Sequence, residues 1–543
     1  MGVCLSTQEC EARRAQTLLP PISTETGLLK TPTFQSSFDS SVNEIVSTDA
    51  EGFSTHTEYN AYGKPILTRY PDGTEETWIY NLDGTLRSHT DASGVLTTHS
   101  RDYLGRALRK TISQDGTALA EETYEYHGLY PTTKTNAEGH QTTFTYDPAG
   151  RKTSETYGTE TTLFHYDEFS RNHCTEQGSL RTVHQFDLTG RIEETREEDS
   201  FTHQLLRKIV HHYDRAGNKI AIFRWVGENQ TEISEHFEYD SCNRLITKTD
   251  PMGHKETVFY NDYCMNSHQQ RVLQKIHWDP MGLQTVETFD THNQIVKTEK
   301  YQSGKPLSFE EKWHNALGKI TLQINTVFAP DKAPHSIRTR WEYDALGRPI
   351  QLTEAEGTAY AKITQNTYTA RGEKKTTTKP DGTILSYEYT PLGHLKSLTS
   401  SDHTVSHHMR YDKLGNLIWH DGIERKVDPR GRLIEEKFPH YTMQYRYNSV
   451  GQRVECNCPE ASLFIEYAYN ALDMTHVTRK NGSHEPLYTH IYLPRDLSGN
   501  LLSSLLPSNL GQIRYQYDLN SRRQSIHAPG YEQQILETDN VGG

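Results

Sequence analysis

The side chains best suited to chemistry are scattered along this chain rather than grouped. Seven cysteines, Cys4, Cys10, Cys174, Cys242, Cys264, Cys456 and Cys458, form an odd set spread over 543 residues, which does not read as a disulfide framework. Cys456-Asn457-Cys458 is too tightly spaced for half of a zinc site. The 28 histidines include the neighbours His211-His212 and His407-His408, but none has the helical or finger spacing that aims two imidazoles at one ion. No Ser-His-Asp arrangement, phosphate-cradling glycine loop or pair of carboxylates stands out. Met1-Gly2-Val3-Cys4-Leu5-Ser6 fits an N-myristoylation pattern with Cys4 placed for a second acyl group. So short a pattern needs a eukaryotic acyltransferase, and an untargeted leader is preferred. Repeated Asp-x-x-Gly segments lack the acidic density and distal Glu of a calcium loop. The same residue types make turns, and no catalytic, metal or cofactor site is expected.

Those Asp and Gly residues belong to one recurring phrase: an aromatic, Asp or Asn, two variable residues, Gly, and a basic or polar residue. Tyr146-Asp147-Pro148-Ala149-Gly150-Arg151 is a clean copy. Others contain Tyr213, Asp214 and Gly217; Tyr343, Asp344, Gly347 and Arg348; and Tyr411, Asp412 and Gly415. Asp opens a turn by accepting bonds from its own downstream backbone, and Gly takes the positive φ that closes it. These residues are therefore expected to be structural repeat turns. Many copies follow at steps of 20 to 22 residues, as from Tyr59 to Tyr80 or Tyr389 to Tyr411. Such a period marks a repeat architecture of about twenty units.

Each unit carries a second turn signal midway, such as Pro71-Asp72-Gly73-Thr74, Asp91-Ala92-Ser93-Gly94, Asp250-Pro251-Met252-Gly253 and Pro380-Asp381-Gly382-Thr383. β-Prone stretches such as 141–146 lie between the turns. Turns this short join only antiparallel neighbours. The expectation is an all-β meander of about forty short strands, some 190 Å along the ribbon. A sheet so long has to coil. A tight solenoid needs a strongly apolar inner face, whereas 371–379 is polar on both faces, so a hollow shell or spiral is favoured. Closed once, the ribbon gives a ring about 60 Å across and one strand tall, too low to seal in a globular domain about 33 Å wide. The chain therefore reads as part of a shell. Residues 1–50 carry no repeat and read as a flexible leader or remnant of an N-terminal region. The repeat region is placed at 51–538, with a truncated end at 539–543.

Bulk properties narrow the function. Hydrophobic content is 34% and mean hydropathy -0.79, yet Tyr (32) and Gly (36) are abundant, an unusual balance for a compact core. A net charge of -14 argues against nucleic acid as the main partner. No stretch is long and apolar enough for a transmembrane helix, and the first twenty residues lack the apolar h-region of a secretory signal peptide.

The quoted phrases resemble the YD-repeat (Rhs-repeat) family, which includes bacterial Rhs polymorphic toxins, the wall components of Tc toxins and the teneurin-like shell. The resemblance covers about residues 50–538. It implies a shell fragment of a secreted toxin or effector, enclosing a toxin cargo together with further shell segments and catalysing nothing. It also implies delivery to the outside or the cell surface by a specialised route. An adhesin or teneurin-like module binding cell-surface glycans or proteins is the alternative. Family members that release cargo use acidic residues near an Asp-Pro-x-Gly-Leu element for self-cleavage. Asp279-Pro280-Met281-Gly282-Leu283 matches those letters, but it lies mid-chain and lacks the family's continuation, so an ordinary turn is expected.

Overall fold

A computed structural model describes residues 4–7, 13–226, 229–329, 332–507, 510–518 and 522–534. Among these are 49 β-strands and a single short 3-10 turn, Pro459–Ala461. Forty-seven strands belong to one sheet, and Ile22–Ser23 pairs with Leu29–Lys30 as a separate hairpin. The pairings are antiparallel and join chain neighbours, as Gln141–Tyr146 does with Lys152–Tyr157, and that strand with Glu160–Tyr166. The all-β meander is thus the fold. The strands outnumber the forty expected partly because the sheet begins earlier. Arg13–Leu18 pairs with Thr33–Phe38, and that strand with Glu44–Thr48. Residues 13–48, part of the 1–50 span expected to be a flexible leader or a remnant of an N-terminal region, form strands and turns. Their sequence lacks the phrase but keeps its Asp turns: the Oδ1 of Asp39 accepts the backbone N–H of Ser41 and Asn43 at 2.8 and 2.9 Å. Gly2 and residues 539–543 lie outside the described residues; the backbone of Cys4 opens the strand Cys4–Thr7.

Several strands alternate strictly. In Glu75–Tyr80, Gln141–Tyr146 and Ile384–Tyr389, exposed residues alternate with half-buried ones, the period-2 pattern of a pleated ribbon. Only 14 apolar side chains are fully buried among the described residues, so no thick core forms between layers. Stability must come from strand pairing and from the turns.

The chain divides into two compact units. The first comprises 1–123, 259–278 and 282–409; the second comprises 124–258, 279–281 and 410–543. In each, an earlier and a later ribbon segment meet turn to turn. The one-strand-tall band inferred from strand count is therefore corrected: within each unit the ribbon is doubled, because carboxylates on one row of turns meet arginines and backbone N–H groups on the other.

Repeat turns and the seam between ribbons

The YD turn is a closed hydrogen-bonded device. In Asp147–Arg151 the backbone N–H of Asp147 donates to the Arg151 carbonyl at 3.0 Å, and that of Gly150 to the Asp147 carbonyl at 2.9 Å. The Oδ1 of Asp147 accepts from the N–H of Ala149 and Arg151 at 3.0 and 2.9 Å. Gly150 has φ +79°, a conformation that costs a residue with a Cβ. Asp344 repeats the arrangement with Leu346, Arg348 and Gly347, and Asp412 with Leu414, Asn416 and Gly415. Asp214 does so with Asn218 and Gly217. A register shift falls at the aromatic at Tyr146, Tyr213 and Tyr343, so the extra residue that feeds the turn is a recurrent β-bulge.

Two further links were not evident from residue types. The sixth residue of the phrase is a bracket rather than a free surface charge. Arg151 Nε donates to Asp147 Oδ2 at 2.6 Å, while its guanidinium lies 5.0 Å from the ring centre of Tyr166 in the next unit. Arg348 does the same between Asp344 and Tyr368, and Arg191 between Asp187 and Tyr213. The aromatic, in turn, reaches backwards. Tyr166 Oη donates to the Lys152 carbonyl at 2.8 Å, Tyr213 to Ile192 at 2.8 Å, and Tyr343 to Ile320 at 2.7 Å. Each acceptor lies two residues beyond the turn glycine, or its lysine-flanked equivalent, of the preceding unit. Burial pushes the Tyr343 phenol up from its ordinary value, which keeps it a neutral donor. Removing that hydroxyl by Tyr343→Phe is expected to cost about 1 kcal/mol, by stranding a carbonyl. Hydrogen exchange at 315–320 should speed up while distant units are unchanged, because repeats communicate with neighbours.

The turn carboxylates titrate accordingly. The backbone N–H of Arg151, and then its side chain against opposing burial, hold Asp147 below the ordinary carboxylate range. The N–H of Arg244 does so first for Asp240. In a mid-unit turn, the Ser400 hydroxyl and then the Thr404 N–H lower Asp402 to about 2. A depressed carboxylate stabilises the fold above its unfolded pKa, and that contribution fades as pH falls through the folded one. Thermal stability is therefore expected to be level above about pH 5 and to drop steeply between about pH 4 and 2. A melting temperature that stays flat down to pH 2 would show that the turns do not depend on ionised Asp.

Across each unit the turn rows of two ribbon segments form a seam. In the first unit, Glu51 Oε1 accepts the N–H of Ala316 at 2.7 Å. Arg348 Nη2 meets Asp72 Oδ2 at 3.1 Å, and Arg371 Nη2 meets Asp91 Oδ2 at 2.7 Å. In the second unit, Glu160 is held by Arg430 and Arg432, both at 2.6 Å. Glu138 accepts the N–H of Lys413 at 2.7 Å, Gln177 donates to the Ser449 carbonyl at 3.1 Å, and Arg207 pairs with Asp473 at 2.9 Å. The bonded residues stand 265 to 280 positions apart in both units. Mid-unit turns of the earlier segment thus supply mainly carboxylates, and YD turns of the later segment supply arginines and N–H groups.

Among the described residues two groups of side chains bring possible ligand atoms close together: His407, His420 and Asp421, and a second group around Cys174. Asp279 occupies the turn between Arg271–Trp278 and Leu283–Phe289, which pair antiparallel, and Gly282 has φ +77°. Cys174, Cys242, Cys264, Cys456 and Cys458 are free of disulfides. His165, Cys174 and Glu176 bring ligand atoms close together. However, Arg181 Nε lies 3.3 Å from the Cys174 sulfur and 3.2 Å from Glu176. A guanidinium fills the place a cation would take, and burial pushes the thiol up, so this donor set does not fit a metal. A recess of about 650 Å³ in the first unit is lined by Tyr368, Tyr387, Tyr389, Glu388 and Lys396.

Comparison with known proteins fits this architecture. Residues 283–499 match the Teneurin YD-shell family and residues 124–162 the RHS repeat. No curated protein matches the chain. Among solved structures, the crystal structure of TcdB2-TccC3-Cdc42 is similar over 98% of this chain and 34% of its own, with 12% identity and a TM-score of 0.62. A second similar structure, the Photorhabdus luminescens Tc holotoxin pore, matches over 98% of this chain and 36% of its own, with 12% identity and a TM-score of 0.39. The chain spans about a third of the length of these structures. Over those two segments, with its latched turns, the chain is similar to the Teneurin YD-shell and RHS-repeat families.

Proposed function

We propose that this chain is a structural segment of a secreted Rhs-type toxin shell, holding a toxin or effector cargo together with further shell segments and catalysing nothing itself. The observation that carries this reading is how the side chains are spent. Fourteen buried apolar residues serve a sheet of forty-seven strands, so the polypeptide builds extended wall rather than a packed core. The charged residues are engaged in latching turn to turn, and the candidate reactive cluster around Cys174 is occupied by its own arginine. The similarity to the fold of TcdB2-TccC3-Cdc42 supports the same reading. Among the described residues no helix is long and apolar enough to cross a membrane, and export by a specialised route is part of the proposal.

The test is limited proteolysis of the complete gene product that contains this chain. A cargo segment that survives trypsin while the seam is intact, and is digested once the seam is opened, is the expected result. Digestion of every other segment at the rate of exposed loops would overturn enclosure. A second reading, binding of cell-surface glycans, rests on the tyrosine-lined recess around Tyr387 and Tyr389, since aromatic faces with flanking polar groups suit sugars. Glycan-array binding abolished by Tyr387→Ala, without any protected segment, would select it.

A further inference from the structure

Each seam consumes the mid-unit turns of the earlier ribbon and the YD turns of the later one, which leaves one turn row of each ribbon uncovered. The uncovered YD row of the earlier ribbon is unusual in what it shows to solvent. Between Asp or Asn and the positive-φ residue that closes the turn it carries Tyr62, Leu82 and Tyr103 in the first unit, and Phe169 (before Ser170) and Leu188 in the second, all exposed. Leu82 retains 96% of its free surface, whereas Ala316, at the same turn position inside the seam, retains 4%. Large apolar residues at successive turn tips signal a contact surface rather than a solvated edge. The arginines of this row, Arg151, Arg171 and Arg191, are satisfied within their own ribbon by Ser170 and by the carbonyls of Asp187 and Asp214. Their counterparts Arg348 and Arg432 instead reach across the seam to Asp72 and Glu160.

The matching half is also present on the chain. Pro380-Asp381-Gly382-Thr383, in an uncovered mid-unit turn of the later ribbon, repeats Pro71-Asp72-Gly73-Thr74, whose Asp72 receives Arg348. The carboxylate oxygen of Asp381 accepts the N–H of Thr383, as that of Asp72 accepts Thr74. Asp402 is likewise exposed and bonded to Ser400 and Thr404 of its own turn. Resting on the shell-segment reading, we propose that a second copy of this chain docks head to tail. Its Asp381 and Asp402 turns meet the row of the first unit carrying Tyr62, Leu82 and Tyr103, and a new seam forms with the chemistry of the internal ones. Such a contact uses two different surfaces, so it grows into short stacks rather than closing as a symmetric dimer.

The test is sedimentation velocity of the full chain between about 1 and 100 µM, the range of a modest protein contact. Wild type is expected to pass from monomer to dimer and larger stacks, with weaker association at high salt. The double variant Leu82→Asp, Tyr103→Asp, whose side chains are more than nine-tenths exposed, should stay monomeric, as should Asp381→Lys. An equal mixture of the two variants should form dimers that grow no further, because each supplies the face the other lacks. A monomeric wild type at 100 µM would overturn the proposal, as would variants that associate like wild type or a mixture that stays monomeric. None of these outcomes affects protease protection of cargo, so failure here is distinguishable from failure of the shell reading. If Asp381→Lys shows a lowered melting temperature, Asp381→Asn supplies the same test with the turn kept.

Discussion

Replacing Gly150 with valine is expected to cost about 3 to 4 kcal/mol, well above the same change at Gly347. Both glycines have positive φ, +79° and +73°, and that conformation alone costs a β-branched residue about 1 to 2 kcal/mol. The surroundings then separate them. A Cβ on Gly150 would lie 1.9 Å from Tyr130 Oη, whereas the nearest atom to one on Gly347 is Lys319 Cε at 3.6 Å. Tyr130 cannot swing aside freely, because its ring stacks on that of Tyr146 at 4.9 Å. Stability is best read from hydrogen exchange in each unit, since a repeat array does not unfold in one step. Loss of protection should be deeper and wider around 130–157 for Gly150→Val than around 343–352 for Gly347→Val. Adding Tyr130→Ala to Gly150→Val should restore part of it. Equal losses at the two sites would show that backbone conformation, not the close approach of Tyr130, governs the turn.

Glu160→Gln is expected to open the seam of the second unit at a cost of about 2 kcal/mol. Its side chain is only 12% exposed and faces two guanidinium groups. Breaking a fully buried pair costs about 3 to 5 kcal/mol, and the partial exposure of both arginines reduces that. The damage should be confined to turns 157–160 and 428–432, seen as faster exchange and a new tryptic cut after Arg430 or Arg432. Glu388→Gln serves as the control. Its partner Lys396 and Glu388 itself are both well exposed, so this change should shift stability by less than about 0.5 kcal/mol. If the two substitutions had the same effect, the seam would be no more than a surface contact.

The repeat phrase made the fold legible because its parts act over four residues. Asp147 needs only the backbone of Ala149 and Arg151 to form its turn, and a glycine at a fixed offset announces the positive φ. Strand direction then follows from turn length, and register from the bulge at Tyr146. The roles of Arg151 and Tyr166 were only half visible. Both residue types are plain in the sequence, but an arginine after a turn glycine looks like any solvated charge until the next unit's ring is found beside it. The strands within 13–48 are hidden in the sequence for a simpler reason. They lack the aromatic-Asp-Gly phrase, yet they pair as strands because the ribbon beside them offers open backbone donors and acceptors.

What the sequence determined by itself is everything set by neighbours in the chain: all-β strands, two turns per unit and antiparallel order. Tertiary structure alone decided which turn faces which. Asp72 and Asp381 stand in the same four-residue turn, and nothing within reach along the chain distinguishes them. Only the coiling of the ribbon brings Arg348 to Asp72 across 276 residues and leaves Asp381 at an open edge. The physical reason is range: a turn closes through bonds a few residues long, whereas a seam depends on the accumulated twist and curvature of a dozen units, which no single unit encodes.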